Sequence, residues 1–362
     1  MIMTGLRGVG KTVLLNRFAE LAEMAGWESI ELEASKHDET AFRQSIFSKF
    51  RAALLHISPR RRWSERARHA AEVLTSFVLS IDQSGTFSVT WDVDPSEGYG
   101  DHGDLGLDLT DVFLAVGEVA KEKGTGIVLL IDEVQFLTTV QLESLIQAVH
   151  KSVQKKLPIT FVGAGLPQIA ELAGDAKSYA ERLFKFPRID SLTPEEARQA
   201  LVGPAETENV SYDEDAVDLA VSLTHGYPYF IQELGYQAWI VASGNHITAE
   251  DISTAKDAYE ATLDGSFFRV RLDRATPLQT AYMRAMAELG SKPQKAADVA
   301  SLMKRESSQV APIRSQLIDM GLLYTPQHGY AAFTVPDFDK FMMRAVPRLE
   351  VPEIQHRRRR KK

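Results

Sequence analysis

The 362 residues contain no cysteine. Disulfides, thiol catalysis, iron–sulfur clusters and cysteine-held zinc are thereby excluded, while the redox compartment stays undecided. Long apolar runs are missing as well. The strongest, Gly126 to Ile131, stops at Asp132, far short of the ~20 residues of a membrane span. Met1-Ile-Met-Thr4 has neither the basic region nor the apolar core of a signal peptide. An excess of positive charge is also absent: 41 basic against 49 acidic side chains give a formal net charge of −8. That balance argues against a general nucleic-acid coat. A soluble, cytoplasmic protein without membrane contact is the expectation. The charge is uneven, because residues 348–362 hold seven basic and two acidic side chains. Such a run reads as a solvated, disordered tail over 347–362 that leaves non-specific polyanion binding open.

What is present begins with Gly5-Leu-Arg-Gly-Val-Gly-Lys-Thr12, a glycine, four residues, then Gly-Lys-Thr. This is the phosphate-loop pattern, in which glycines let successive backbone N–H groups converge on phosphate oxygens and the next helix aims its N-terminus at them. Gly5, Arg7, Gly8, Val9, Gly10 and Val13 would line the phosphates. Lys11 would reach the β- and γ-phosphates of ATP, and Thr12 would offer its hydroxyl to Mg²⁺. Gly126-Ile-Val-Leu-Leu-Ile-Asp-Glu133 is the matching apolar strand ending in two acids. There Asp132 would hold Mg²⁺ through water and Glu133 would polarise the attacking water as general base.

Further assignments are less specific. Met1 to Thr4 reads as the end of a strand, short for the centre of a sheet. Either the start lies too far downstream or the strand is completed unusually. In Ile159-Thr-Phe-Val-Gly-Ala-Gly165 the only polar side chain is Thr160, which sits early, so a γ-phosphate sensor would have to come from backbone N–H groups or Gln168. Arg182 is a candidate arginine finger, with a solvated helix arginine as the alternative. In His225-Gly-Tyr-Pro-Tyr-Phe230, Gly226 and Pro228 would shape a turn, with Tyr227 and Pro228 packing on adenine or simply filling a core.

Periodicity places strands and helices in alternation through residue 190, as a parallel α/β sheet requires. Segment 55–105 reads as an insertion, with a β-hairpin over 85–93 and an exposed Gly/Asp-rich loop. From 191 to 275 the pattern is all-helical, a lid. Residues 276–346 read as three helices and a two-stranded hairpin, a winged helix. Across 276–347 eight basic residues face six acidic ones, and helix 307–320 carries only Arg314, with Lys304 and Arg305 before it. Little phosphate attraction is to spare for duplex DNA. Arg60-Arg-Arg-Trp63 is a second basic cluster of the same ambiguity.

Taken together, Gly-Leu-Arg-Gly-Val-Gly-Lys-Thr12, Leu-Leu-Ile-Asp-Glu133, Gly-Ala-Gly-Leu-Pro167, Tyr-Ala-Glu-Arg-Leu-Phe184 and Gly-Tyr-Pro-Tyr-Phe230 resemble the bacterial AAA-type ATPases of the origin-recognition-like class, close to the STAND ATPases. The likeness runs from Met1 to about Arg344. It implies ATP and Mg²⁺ binding, a P-loop core, a helical lid and a C-terminal winged helix. Three departures accompany it. The Gly-Tyr-Pro turn stands where initiators carry a lid arginine, the polar residue after the Gly163 strand is absent, and the segment that covers adenine ahead of the phosphate loop is missing. The favoured expectation is a slow ATPase acting as a switch, with ATP closing the lid on the core. A DNA-binding initiator or mobile-element ATPase, and a non-hydrolysing ATP-bound module that recruits an effector protein, both stay open. So does a homo-oligomer.

Overall fold

A computed structural model describes residues 1–34, 38–79, 93–176 and 180–352. They pack as two units. One comprises Met1–Gly5 and Gly10–Ile189, the other Leu6–Val9 and the residues from Asp190 onward.

The first unit runs β1 (Ile2–Thr4), α1 (Lys11–Met24), β2 (Glu28–Glu33), α2 (Glu39–Ile57), α3 (Glu65–Leu79), α4 (Leu105–Lys123), β3 (Ile127–Asp132), α5 (Thr139–Gln154), β4 (Ile159–Gly165), α6 (Ile169–Ala176) and α7 (Ala180–Leu183). Its four strands are parallel in the order β1-β4-β3-β2. The unbroken apolar run of β3 follows from burial on both faces. Ile127, Leu129 and Ile131 enter a large core shared with α2 to α5, while Val128 and Leu130 enter a smaller one with Leu15 and Ala19 of α1. Both ends of the chemistry are thereby fixed to one rigid layer.

The short first strand is paired along both edges. β4 pairs along one side of β1. On the other side Ile2 N–H donates to Lys185 O at 2.8 Å, Thr4 N–H to Pro187 O at 2.9 Å, and Ile189 N–H to Thr4 O at 2.7 Å. Residues 185–189 act as a fifth strand in all but length, so β1 is interior to the sheet with both edges satisfied.

Within the segment 55–105, α3 packs into the large core: Ala67, Ala70, Ala71, Leu74 and Phe77 are all fully buried there. Its small-residue stripe lets it lie close against α2 and α4. The hairpin expected over 85–93 falls outside the described residues except for Val93. Residues 93–104 form an irregular loop whose backbone is tied to α4, with Gly100 N–H donating to Asp111 at 3.0 Å and His102 N–H to Asp108 at 2.7 Å. The same Asp108 faces Arg43 of α2 at 2.8 Å, and both are buried, at 0% and 1% exposure. The two atoms meet at ion-pair distance without hydrogen-bond alignment, so the attraction is mainly Coulombic.

The second unit holds α8 (Pro194–Thr207), β5 (Ser211–Tyr212), α9 (Glu214–Thr224), α10 (Pro228–Val241), β6 (His246–Ile247), α11 (Ala249–Thr262), a π-turn (Leu263–Phe268) and α12 (Arg269–Leu272). It continues through α13 (Pro277–Glu288), β7 (Gln294–Lys295), α14 (Ala296–Leu302), α15 (Ser307–Asp319), β8 (Leu323–Tyr324), β9 (Tyr330–Phe333) and α16 (Phe338–Ala345). The hairpin is a three-stranded antiparallel sheet, β7-β9-β8. No break in packing appears near 275. Phe268 of the π-turn stacks on Phe341 at 5.2 Å and meets Phe338 edge-on at 5.8 Å, and Arg344 pairs with Asp264 at 2.5 Å. α16 was not foreseen; its burial of Phe338, Phe341 and Met342 supplies that seam.

Candidate functional site

The phosphate loop leaves β1 and turns directly into α1. Gly8 and Gly10 hold φ of 84° and 90°, left-handed values that side-chain-bearing residues rarely adopt. Gly10 is the N-cap residue of α1 and has no side chain to cap with, so the first N–H groups of that helix are left for a ligand. Gly5 N–H is tied to Gly165 O of β4 at 3.1 Å. Lys11 is 8% exposed and its Nζ donates to Gly5 O at 3.0 Å. Val13, by contrast, is 70% exposed on the first turn of α1.

The two motifs meet. Thr12 Oγ1 donates to Asp132 Oδ2 at 2.5 Å, although 120 positions separate them. Asp132 Oδ1 accepts the N–H of Glu133 at 2.8 Å. A hydroxyl and a carboxylate converging at a strand end form a hard-oxygen donor set, the chemistry that suits Mg²⁺. Beside them a cleft of about 250 Å³ is rimmed by Glu31, Glu33 and Asp132. Polyphosphate approaching that rim needs a cation between the charges.

Glu133 follows with φ 52°, ψ 40°. This left-handed kink ends β3 and turns the side chain off the strand line. Gln135, which sequence reasoning missed, then takes over. Its Nε2 donates to Glu133 Oε2, and its Oε1 accepts Leu166 N–H at 3.0 Å. The polar side chain absent from the end of β4 is therefore supplied by the loop after β3. Gly165 makes room for it, since a Cβ there would fall 2.9 Å from Gln135 Oε1. Spacing held the signal: a glutamine two residues past Glu133, opposite a strand ending in Gly-Ala-Gly. Of the earlier candidates, Thr160 is exposed and Gln168 keeps its Oε1 buried without a hydrogen-bond partner. Because Gln135 bonds to Glu133, Gln135→Ala is expected, if Glu133 serves hydrolysis, to lower ATP turnover about tenfold with ATP affinity unchanged. Steady-state kinetics beside equilibrium binding check this.

Other candidates separate. Arg182 is exposed on the four-residue α7. Pro228 opens α10 at its first position, as expected for a turn-forming proline. Tyr227 needs correction as an adenine platform. It is 1% exposed, its ring lies 4.6 Å from that of Phe230, and it fills the core where α10 begins. No open face is left for a base. The basic residues of the C-terminal helices are also largely spoken for. Arg314 is half-buried and bonded to Thr325 Oγ1 at 3.3 Å, and Arg305 donates to Pro352 O, leaving Lys304 exposed.

Comparisons with known proteins bear on the fold. Residues 1–162 match the AAA ATPase domain, and residues 265–342 match a domain of unknown function. No curated protein matches. Among solved structures, a Walker-type ATPase of Pyrococcus abyssi is similar over 94% of this chain and 90% of its own, at 15% identity and a TM-score of 0.57. The RuvB Holliday junction branch migration motor of Thermotoga maritima is 14% identical over 97% and 87%, with a TM-score of 0.44. Cdc6p of Pyrobaculum aerophilum is 16% identical over 96% and 88%, with a TM-score of 0.42. No helix among the described residues is long and apolar enough to cross a membrane. The fold is that of a P-loop ATPase of AAA type, a parallel sheet core followed by a helical region.

Proposed function

We propose that the chain binds ATP at Gly5–Thr12 and hydrolyses it slowly to ADP and phosphate, as a nucleotide-dependent switch. The observation that carries this reading is the 2.5 Å approach of Thr12 to Asp132, which joins two motifs far apart in sequence at one point. Thr12 and Asp132 would hold Mg²⁺, which when bound neutralises phosphate charge. Lys11 and the loop N–H groups bind the phosphates. Glu133 accepts a proton from water as its oxygen attacks the γ-phosphorus, and the bond to the β–γ bridging oxygen breaks.

A switch also needs the loop to report its state. Within the second unit, Gly8 O accepts Tyr229 N–H at 3.3 Å and Arg7 N–H donates to Thr334 O at 3.2 Å. Loop residues are thus bonded both to the helical region and to the end of the C-terminal sheet, which we read as a lid and a winged helix. With Arg314 and Arg305 engaged internally, an effector protein suits the C-terminal surface better than duplex DNA does.

The experiment is ATP turnover against protein concentration, with and without duplex DNA, beside Glu133→Gln. Turnover per subunit that rises with concentration supports a homo-oligomer in which Arg182 of one copy acts on its neighbour. We expect DNA to change it less than twofold. Turnover equal to that of Glu133→Gln in every condition would remove hydrolysis from the proposal.

A further inference from the structure

Negative charge is not spread evenly along the chain. Residues 191–264 hold fourteen acidic and two basic side chains, against a formal net charge of −8 for all 362 residues. Both basic side chains are engaged within that stretch, Arg198 with Glu214 at 3.0 Å and Asp218 at 2.5 Å, and Lys256 with Glu260 at 3.9 Å. The last turns of α8, α9 and α10 carry no basic residue to offset the negative ends of those helices. Such a surface repels polyanions and draws cations.

Set into this acidic region is an apolar face. Gln232, Tyr236, Trp239 and Ile240 recur on one side of α10, and all four are exposed. Tyr236 is 62%, Trp239 45% and Ile240 57% exposed, on the side where a surface helix ordinarily carries charge. Next to them α8 and α10 border a groove of about 350 Å³, with Leu201, Pro204 and Ala205 on one wall and Gly235, Tyr236 and Trp239 on the other.

Local sequence builds the groove. Gly235 lets the two helices approach, since a Cβ there would fall 3.1 Å from Leu201 Cδ1. Pro204 lies inside α8 and has no N–H for the Ala200 carbonyl. Gln232 Nε2 donates to that oxygen instead, at 3.5 Å. Both residues weaken the helices that hold them, and both line the groove. Glu206 and Glu208 come directly after Pro204 and Ala205 at the end of α8 and are exposed, so carboxylates stand beside the apolar wall.

We infer that the groove between α8 and α10 is a docking surface for a cationic amphipathic helix of a partner protein. Apolar side chains of that helix enter the groove and pack on Tyr236 and Trp239, while its lysines and arginines meet Glu206, Glu208 and the acidic surface around them. Tryptophan and tyrosine are the residue types that most often carry interface energy. Charge selects the occupant. Nucleic acid and anionic lipid are repelled by this stretch, and a second copy seated face to face brings the same charge against it. The inference does not rest on the ATP-binding reading.

The test follows the fluorescence anisotropy of two labelled peptides of about 18 residues, one of leucine and lysine and one of leucine and glutamate in the same amphipathic pattern. Each is titrated with the full chain, with Trp239→Ala, with Tyr236→Ser, and with Glu206→Gln and Glu208→Gln combined. The leucine–lysine peptide is expected to bind at least about tenfold more tightly than the leucine–glutamate one. Trp239→Ala is expected to weaken it about tenfold or more, with the melting temperature unchanged because the side chain is half exposed. The double glutamine variant should weaken it a few-fold and flatten its salt dependence. Should Trp239→Ala melt lower, the more exposed Tyr236→Ser decides. No binding of the leucine–lysine peptide, or equal binding of both peptides, overturns the inference. Affinity unchanged in both Trp239→Ala and Tyr236→Ser traces binding to diffuse charge and overturns it too. Sedimentation velocity of the chain alone covers the remaining occupant: self-association that disappears in Trp239→Ala gives the groove to a second copy and overturns the assignment to a partner helix.

Discussion

Lys11→Ala is expected to lose ATP binding by at least about a hundredfold, and Glu133→Gln to bind ATP normally while turning over about 10²–10⁴-fold more slowly. The two variants act on separate terms. Lys11 is almost fully buried, with its ammonium on the Gly5 carbonyl. It both closes the loop upon itself and places a positive charge at the loop mouth. Alanine removes the charge and leaves that carbonyl without its donor. Each charge-assisted hydrogen bond to phosphate contributes about 1.5–3 kcal/mol, and two such contacts multiply to at least a hundredfold. Glu133 enters the proposal as a proton acceptor and not as a phosphate ligand. Its glutamine replacement keeps the shape and can still pair with Gln135, so affinity stays while the proton acceptor is gone. Calorimetry with phosphate-release kinetics separates the outcomes. Normal ATP binding by Lys11→Ala would sink the phosphate-loop assignment.

How far these residues could be read in advance depends on how local their signal is. The phosphate loop and the acidic strand are written in consecutive residues, because backbone N–H convergence and strand-end carboxylates need fixed short spacings. Helix starts were legible for the same reason: Thr193-Pro-Glu-Glu196 and Thr276-Pro-Leu-Gln279 form capping boxes. The apolar run of β3 announced burial on both faces. What could not be read depends on contacts across the fold. Residues 185–189 carry no strand pattern of their own and pair because β1 presents an open edge. Tyr227 could be read equally as a base platform or as core, since an aromatic in a turn reads the same whether its ring meets ligand or core. Gln135 gained a role only once β4 brought Leu166 beside it. The π-turn at Leu263–Phe268 lies in a stretch read only as helical, because it has no sequence signature.

Asp108→Ala is expected to destabilise the first unit by about 3–5 kcal/mol, the cost of leaving a buried charge without its partner. Arg43 has no route to solvent at 1% exposure. It lies 4.8 Å from the Phe77 ring centre, donates to Phe77 O at 3.2 Å and pairs with Glu39, whose side chain is 44% exposed and screened by water. Asp108 also accepts the His102 N–H at 2.7 Å, so the variant removes one tie of the 93–104 loop to α4 and leaves that through Asp111. Against a total stability of roughly 5–15 kcal/mol for a domain, the loss is large. The pair itself need not be worth that much. Desolvating both ions offsets most of their attraction, so replacing both by apolar residues of similar volume, Arg43→Met with Asp108→Leu, is expected to recover most of the loss. Urea unfolding of Arg43→Met, Asp108→Leu and the double variant closes a double-mutant cycle on this point. A coupling of several kcal/mol is the expected result. If Asp108→Ala cost less than about 1 kcal/mol, water would have to reach Arg43, and α2, α3 and α4 could not pack as tightly as their buried alanines require.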